Sequence, residues 1–465
     1  MNPRPSFSLS QSYESWSSGA QAKCVPFIRF TTCKQADICV TNRYNTITDR
    51  NWTRQHFIAR PLSQRWMGKL QPLLSINSSR LLLAAGNTIY SYGFRSSSTP
   101  DISPPVHLEC AYTTSAFHPN RDITALVTVP DNGLDRTIFV GYVDGNLERV
   151  TLPSCGELAK TSENIDASLR ERYDFHDGSL IEGLSTSPTH LLSLSSTGAA
   201  ALLPFALEEP TPQFINLGTR SWSSHLCMDS STPYAVFGTT SLNPLSVYPI
   251  YESRLSPHPS VYLSSGTKSE RPTAVYAISS GPPACAWGAS NQIVVSGWYD
   301  GIVRVFDLRS PTRTADNATH SQSSLLPVMT FCDPWSPEPI YSLSCGGGSG
   351  SHITAGSARH SVLAFWDVRS PVRGWSVHAP GNDSSPVYSV IMDGSRVFGA
   401  NESRGFVYDF GPGVTEETYP AVLLDAVPTS RRAGRWRRQA EETLKAQQAK
   451  ISGPGFYVTR YKHDK

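Results

Sequence analysis

A β-hairpin that ends in an aromatic residue followed by aspartate occurs three times near the carboxyl end, and it constrains the fold more than any other feature. Residues 301–311 read GIVRVFDLRSP, residues 361–371 read SVLAFWDVRSP and residues 404–412 read RGFVYDFGP. At the start of the first copy, Asp300 and Gly301 supply a turn between two apolar strands, and both residue types tolerate positive φ. Because a lone hairpin is not stable in water, several such hairpins must pack together.

A second shared element precedes each hairpin. It is a short strand with tyrosine between small and apolar residues: TAVYAIS at 273–279, PIYSLSC at 339–345 and PVYSVIM at 386–392. The repeating unit is therefore predicted to be a strand, a loop, a hairpin with a tight turn, and a fourth strand. A four-stranded unit that recurs at roughly 40 to 45 residues is typical of a β-propeller blade.

Weaker copies of the hairpin occupy the first half of the chain. They keep the alternation of apolar residues and the turn residues, and they lie at 81–94, 137–152, 189–205 and 233–250. Together with the three clear copies they make about seven units, which is a common number for this architecture.

These repeats resemble the WD-repeat β-propellers over residues 70–425. The resemblance implies an all-β fold, a seven-bladed WD-repeat β-propeller, in which each turn aspartate bonds within its blade and each terminal aromatic residue packs against a neighbouring blade. The turn position holds Arg359 and Arg404 in the last two blades, which departs from the family pattern. The residues implied to have these structural roles are Asp144, Asp300, Phe306, Asp307, Trp366, Asp367 and Asp409.

Residues 41–66 lie before the repeats, and their apolar spacing predicts one short amphipathic helix followed by a turn that begins at a proline. The segment resembles the last helix of an F-box with its connection to a propeller, although no Leu-Pro-x-Glu opening occurs in the first 40 residues. The resemblance implies that Ile47, Trp52 and Phe57 bind a Skp-type adaptor and, through it, a cullin. Alternatively, Trp52, Phe57 and Trp66 plug the bottom of the propeller or its first blade gap.

The two ends of the chain are predicted to lie outside the repeats. We expect a disordered leader over residues 1–40, an F-box-like segment with its connector over 41–69 and a basic helical tail over 426–465. In the tail, residues 431–438 carry five arginines beside an apolar helical face formed by Trp436, Ala440 and Leu444. This pattern suits nuclear import, contact with nucleic-acid phosphates, or a solvated helix.

Composition and motifs exclude several functions. A net charge of +2 does not predict a nucleic-acid-coating protein. No apolar run reaches the roughly 18 residues that span a bilayer, and the first residues lack a secretory signal, so we expect no membrane partner and a cytoplasmic and/or nuclear protein. There is no phosphate loop, metal-binding helix or nucleophile elbow, and we therefore expect no catalytic residue, metal or cofactor.

The resemblance to WD-repeat propellers implies that a partner binds on the face where the first strand of each blade begins and where the residue before the turn aspartate emerges. The residues expected to bind a protein on one propeller face are Tyr276, Trp298, Tyr299, Tyr341, Arg359, Tyr388 and Arg404. Alternatively, the tyrosines only pack between blades. The function expected is a substrate receptor of an SCF-type ubiquitin ligase, and the alternative is a WD-repeat scaffold of a chromatin or RNA complex.

Either residues 419–424 or an early strand such as 27–31 is expected to complete the last blade.

Overall fold

Strands dominate the protein. The computed structural model describes residues 35–66, 69–95, 103–114, 121–154, 163–205, 211–266, 271–283, 290–311, 313–314, 323–380, 384–422, 456 and 458–463. Within these ranges the chain forms one α-helix, two 3-10 helices and 33 strands, so the fold is all-β as predicted. In the same ranges, no helix has the length and apolar character needed to cross a bilayer.

Helix α1 (Gln35–Arg54) comes first and is followed by strand β1 (Ile58–Pro61). The strands after β1 group into antiparallel units, called units 1 to 7. Unit 1 contains β2 (Leu73–Ile76), β3 (Arg80–Ala85), β4 (Thr88–Phe94) and β5 (Val106–Thr113). Unit 2 contains β6 (Ile123–Thr128), β7 (Thr137–Tyr142), β8 (Asn146–Thr151) and β10 (Arg170–Asp174). The two-residue strand β9 (Glu163–Asn164) and a 3-10 turn (Ala167–Leu169) lie between β8 and β10.

The next three units follow the same plan. Unit 3 contains β11 (Ile181–Thr186), β12 (Leu191–Ser195), β13 (Ala199–Leu203) and β14 (Gln213–Asn216). Unit 4 contains β15 (Ser221–Cys227), β16 (Tyr234–Ser241), β17 (Leu245–Tyr251), the short β18 (Arg254–Leu255) and β19 (Val261–Leu263). Unit 5 contains β20 (Thr273–Ser280), β21 (Ile293–Trp298), β22 (Ile302–Asp307) and, after β23 (Arg313–Thr314) and β24 (Ser323–Leu325), β25 (Met329–Cys332).

The last two units use both ends of the chain. Unit 6 contains β26 (Ile340–Gly346), β27 (His352–Ser357), β28 (Val362–Asp367) and β29 (Gly374–His378). Unit 7 contains β30 (Val387–Asp393), β31 (Arg396–Asn401) and β32 (Gly405–Asp409), and a second 3-10 turn follows at Glu416–Thr418. The final strand, β33 (Arg460–Lys462), pairs with β29 as a fifth strand of unit 6.

The hairpins predicted from the repeats are present. In unit 5, β21 pairs antiparallel with β22, and Gly301 at the turn has a φ of +76°, which explains why glycine is used there. The four weaker copies also form paired strands, namely β3 with β4, β7 with β8, β12 with β13 and β16 with β17. The alternation of apolar residues was thus a sufficient signal even where the aromatic-Asp ending is missing.

The first strands of the units contact each other in sequence. β2 contacts β6, and the contacts continue through β11, β15, β20 and β26 to β30, which in turn contacts β2. Seven clusters of buried apolar side chains lie between neighbouring units in the described chain, and each mixes residues of two units. One of them joins Leu81 and Leu83 of unit 1 to Phe398 of unit 7. Burying an apolar side chain of this size contributes about 1.5–3 kcal/mol, so the interfaces between units are the core of the fold.

Glycine in the second strand allows neighbouring units to approach closely. A Cβ at Gly297 would lie 2.5 Å from Cγ2 of Ile340, the first residue of β26 in the next unit. A Cβ at Gly356 of unit 6 would lie 2.7 Å from Cβ of Val387, which begins unit 7. Both separations are far below the usual contact distance between carbon atoms, so only glycine permits this packing.

Strand β1 completes unit 7, although it lies before the first unit in sequence. Residues Ile58 to Pro61 pair antiparallel with Asp409 to Phe406 of β32. Unit 7 is therefore completed by an early strand. Of the two candidates expected from the sequence, residues 419–422 form no strand, and residues 27–31 lie outside the described residues. The expected boundary at residue 69 is wrong, since the sheets already include residues 58–61.

The expectations for the two ends also need correction. The helix begins at Gln35 rather than near residue 41, so the predicted leader is at least six residues too long. In the tail, residues 460–462 form a strand and not a helix. The remaining predictions for the tail, including its apolar helical face and its arginine cluster, fall on residues outside the described ranges.

Candidate protein-binding surface

One face of the molecule carries the start of each unit's first strand and the turn between its second and third strands. We call it the turn face. The connections between first and second strands lie on the opposite face, because neighbouring strands in each unit are antiparallel. The sequence analysis expects partner binding on the turn face.

A β-bulge interrupts the first strand of several units close to its beginning. In unit 5 the pairing register shifts between Val275 and Ala277, which leaves Tyr276 as the extra residue. The same shift leaves Trp222 extra in unit 4, Tyr341 in unit 6 and Tyr388 in unit 7. Bulges redirect side chains out of the regular alternation. Here they place one aromatic side chain per unit at the turn face.

These four side chains, called the aromatic arc, touch one another across the unit boundaries. The rings of Trp222 and Tyr276 are 5.0 Å apart between centroids, those of Tyr276 and Tyr341 are 5.2 Å apart, and those of Tyr341 and Tyr388 are 6.1 Å apart. These separations fall in the range of favourable aromatic pairs. All four residues are half-buried, so each presents part of its ring to solvent.

Tyr299 extends the aromatic arc outward. It lies in the turn of unit 5, its ring centroid is 6.4 Å from that of Tyr276, and 57% of its surface is exposed. The turn of unit 4 contributes the exposed Leu242, and that of unit 2 contributes the exposed Val143. The turn face thus combines partly buried aromatic anchors with exposed apolar side chains at the turns.

Charged residues lie at both ends of the aromatic arc. The Arg220 guanidinium lies over the Trp222 ring at 4.0 Å from its centroid and is 3.0 Å from the Glu182 carboxylate. At the other end, the carboxylate of Glu402 is 3.7 Å from the Lys69 ammonium group. An aromatic centre with a polar rim is the composition that protein interfaces favour.

The phenols of Tyr276 and Tyr388 are neutral over the physiological pH range. Burial, and after it the nearby Glu402 carboxylate, raises the pKa of Tyr388 to about 12. Burial, and after it the neighbouring Tyr341 and Tyr299, also raises the pKa of Tyr276. Neutral phenols can both donate and accept hydrogen bonds, which gives each ring a polar tip for a partner.

The structure brings together four of the seven residues that the sequence predicts for partner binding, namely Tyr276, Tyr299, Tyr341 and Tyr388. Arg359 is exposed in the turn of unit 6, where its Nε is 3.7 Å from the Glu338 carboxylate. Sequence reasoning missed Trp222, although Ser-Trp-Ser at 221–223 has the same small-aromatic-small pattern as the tyrosine strands.

Trp298 and Arg404 are not accessible to a partner. Trp298 is 0% exposed, lies 4.4 Å from the Arg304 guanidinium and donates a 2.8 Å hydrogen bond from Nε1 to Ser296 Oγ. Arg404 is 6% exposed. Both positions are next to exposed turns in sequence, but both side chains are buried.

The aspartates of the repeats have different environments. Asp300 accepts bonds of 3.0 and 2.7 Å from Arg304 within unit 5, and Asp144 accepts a 2.9 Å bond from Arg121 within unit 2. Asp307 and Asp367 end their strands at the surface, and each pairs with the arginine two residues later at 2.8 Å. Asp409 is completely buried against Arg396.

The aromatic residues before the terminal aspartates pack toward the preceding unit. Phe306 of unit 5 belongs to a cluster with Val236 and Val247 of unit 4. Trp366 of unit 6 belongs to a cluster with Val295 and Val305 of unit 5. Both side chains are structural, and neither contributes to the turn face.

The residues expected to bind an adaptor pack on the units instead. Trp52 is buried and stacks on Phe410 with centroids 3.7 Å apart, and Phe57 lies 5.6 Å from Trp375 and 5.1 Å from Tyr408. Ile47 is half-buried. This packing agrees with the alternative in which the aromatic residues plug the units, and it removes Trp52 from any adaptor surface.

Helix α1 docks against a glycine-rich loop of unit 6. Gly347 contacts the Trp52 ring so closely that a Cβ there would lie 2.6 Å from it, and the backbone N–H of Ser349 donates a 3.1 Å hydrogen bond to Asp49 Oδ1. The loop that joins β26 to β27 thus contacts the last turns of α1. No protein-family model matches this chain, and comparison with curated proteins found no similar sequence.

Proposed function

We propose that units 1 to 7 are the blades of a closed, seven-bladed WD-repeat β-propeller. The cyclic contacts from β2 to β30 and back to β2 support this proposal. The pairing of β1 with β32 supports it too, because a strand from one end of the chain that completes the last sheet joins the two ends of a ring. Closure of this kind protects sheet edges from pairing with other chains.

We further propose that the protein is a non-enzymatic scaffold that binds another protein on the turn face, with the aromatic arc at the centre of the interface. The observation that carries this proposal is the placement of aromatic residues at the same bulge in four consecutive units. Packing between units alone does not require large polar-tipped rings at a half-exposed position, and units 2 and 3 hold Thr124 and Glu182 at that bulge.

A substrate receptor of an SCF-type ubiquitin ligase is one form of this scaffold, and only the resemblance of residues 41–66 supports it. Among the residues of α1 whose side chains are described, 43–54, the exposed ones are polar or basic, namely Arg43, Thr46, Arg50, Thr53 and Arg54. A stable interface needs a mainly apolar centre. The geometry therefore favours a scaffold in which α1 is structural.

The turn face is tested by affinity capture of cellular proteins on purified full-length chain, followed by quantitative mass spectrometry. The variants are Tyr299→Ala and Tyr341→Ala, and the control is Tyr251→Ala, an equally exposed aromatic residue outside the turn face. We expect at least one protein to be retained by the wild type and the control and reduced about tenfold or more by both variants. Equal recovery on all four chains would refute the proposal.

The adaptor is tested separately by size-exclusion chromatography of the full-length chain mixed with a purified Skp-type adaptor. Co-elution that is lost in Arg50→Glu, on the exposed side of α1, would establish the receptor form. Separate elution at micromolar concentrations would exclude it and leave the scaffold. A shortened chain that begins at Leu70 is unsuitable, because it lacks β1 and with it the outer strand of unit 7.

A further inference from the structure

A cavity of about 380 Å³ lies on the opposite face, between units 1 and 2. Its walls come from Arg80 at the start of β3, Arg95 after β4, His107 and Glu109 on β5, and Arg136 just before β7. We call it the basic pocket. Its volume is in the range of small-molecule sites, and its side chains are carried by strand ends, which are rigid. It lies on the face opposite to the aromatic arc, which occupies the turn face of units 4 to 7.

One pair of charges in the basic pocket is already compensated. Arg80 Nε donates a 2.7 Å hydrogen bond to Glu109 Oε2, and the same oxygen accepts a 2.9 Å bond from Ser91 Oγ. Arg80 also donates to the carbonyl oxygens of Leu134 and Asp135, at 3.2 and 3.4 Å. Arg80 and Glu109 therefore form a fixed and neutral wall of the basic pocket.

The other two guanidinium groups of the basic pocket belong to Arg95 and Arg136. Among the described residues, neither Arg95 nor Arg136 has a side-chain ion pair or hydrogen bond. The two acidic side chains near Arg136 in sequence are engaged elsewhere. Asp131 accepts bonds from three backbone N–H groups, those of residues 135, 136 and 137, and the carboxylate of Asp135 bonds to Ser78.

The imidazole of His107 adds an unused polar atom. Its Nδ1 is buried and has no hydrogen-bond partner among the described residues. Burial, and after it the positive charge of Arg95, lowers the pKa of His107. A buried polar atom without a partner costs about 1–3 kcal/mol, and a ligand that supplied the partner would recover that cost. The basic pocket therefore brings two guanidinium groups and one buried imidazole nitrogen to the same cavity, and this set of groups suits an anionic ligand.

We propose that the basic pocket binds a small phosphorylated molecule, whose phosphate is held by Arg95 and Arg136 beside His107. Guanidinium groups match phosphate oxygens through paired, charge-assisted hydrogen bonds. The side chains of Leu108 and Pro153 in the same pocket provide an apolar wall for the remainder of the ligand. The volume accommodates a whole small molecule, which favours a free phosphate ester over a phosphorylated protein chain.

The proposal is tested by isothermal titration of the full-length chain with inorganic phosphate, with glycerol 3-phosphate and inositol monophosphate as small esters, and with a phosphoserine peptide. The variants are Arg95→Gln and Arg136→Gln. The control is Arg254→Gln, an exposed arginine of unit 4 that does not line the basic pocket. Thermal melting of each variant verifies that it remains folded.

We expect saturable binding of at least one small ester, weakened about tenfold or more by each pocket variant and unchanged by the control. No saturable binding at concentrations up to about 10 mM would overturn the proposal. Binding of the peptide alone would also overturn it, by assigning the pocket to a phosphorylated protein. Equal binding by all variants would place the ligand elsewhere on the surface.

Discussion

Two aspartates occupy the same position of the repeat, and their environments predict different energetic roles. Asp409 follows the aromatic residue of unit 7, and its side chain is 0% exposed beside Arg396, which is 5% exposed. Asp307 follows the aromatic residue of unit 5, and its partner Arg309 is 49% exposed. We therefore compare Asp409→Asn with Asp307→Asn, which remove the same charge from equivalent places in the repeat.

The magnitude follows from the hydrogen bonds of Asp409. Its Oδ1 accepts bonds from Gly411 N at 2.7 Å and from the hydroxyls of Ser103 and Ser395, both at 3.2 Å. Its Oδ2 accepts from Arg396 Nε at 3.2 Å and Tyr419 Oη at 2.6 Å. If an asparagine at this position keeps the first three bonds with its side-chain oxygen, its NH₂ group faces Arg396 Nε and Tyr419 Oη. Both of these groups are donors, so neither can bond to the NH₂ group.

Asp409→Asn thereby leaves a buried guanidinium without its counter-charge, which costs about 3–5 kcal/mol in free energy of unfolding. Asp307→Asn weakens an exposed pair worth about 0.2–1 kcal/mol. The assay is denaturant unfolding of full-length protein, followed by circular dichroism. The double variant Asp409→Leu with Arg396→Met, which removes both charges, is expected to be more stable than Asp409→Asn. A difference under about 1 kcal/mol between the two asparagine variants would refute this reasoning.

Three further predictions concern the ends of the chain. A chain that begins at Leu70 lacks β1, and size-exclusion chromatography is expected to show aggregation that the full chain does not show, because β32 becomes an open sheet edge. Trp52→Ala empties the space between α1 and Phe410 and is expected to lower the free energy of unfolding by about 3–5 kcal/mol in denaturant titrations, whereas the exposed neighbour Thr53→Ala changes it by less than about 0.5 kcal/mol. Burial alone would raise the pKa of Asp333, but hydrogen bonds from His463 and Ser376 lower it below 3.8. The resulting stabilisation is present above the ordinary pKa of aspartate and is lost as the pH falls through the lowered value, so melting curves between about pH 2 and 5 should show a smaller acid-induced drop for His463→Ala than for the wild type.

The sheets could be predicted because their information is local. Alternation with a period of two and turn residues at fixed offsets identify a hairpin from about fifteen neighbouring residues, and that was enough even for residues 189–205. The tyrosines of the aromatic arc were found for the same reason, since the tyrosine strand repeats. Trp222 at the same position was missed because the repeat was matched on tyrosine, although Ser-Trp-Ser at 221–223 has the same small-aromatic-small pattern.

The contacts of the chain ends could not be predicted, because their partners are distant in sequence. Strand β1 is only four residues long and ends in proline, and no property of those residues points to β32. Trp52 and Phe57 have the spacing of an amphipathic helix, but spacing does not tell whether the apolar side faces the same chain or a partner. The basic pocket was missed likewise, since Arg80, Arg95 and Arg136 come from separate connections that meet only in the folded units.

The pairing of β1 with β32 gives the buried network around Asp409 a specific role. The strand pairing joins Ile58 to Asp409 and so closes a loop that spans most of the chain. Closing a loop of that length costs conformational entropy, and the pairing of four residues offsets little of that cost. The contacts that offset this entropy cost lie beside the paired strands β1 and β32. Tyr44 of α1 is 3.0 Å from Ser395 and 3.1 Å from Ser103, and both serines donate to Asp409. The network thus connects α1, unit 7 and the loop before β5 of unit 1. Disruption of Asp409 should therefore loosen the junction of units 7 and 1 as a whole, because the groups that stabilise the chain ends are the same groups that hold these two units together.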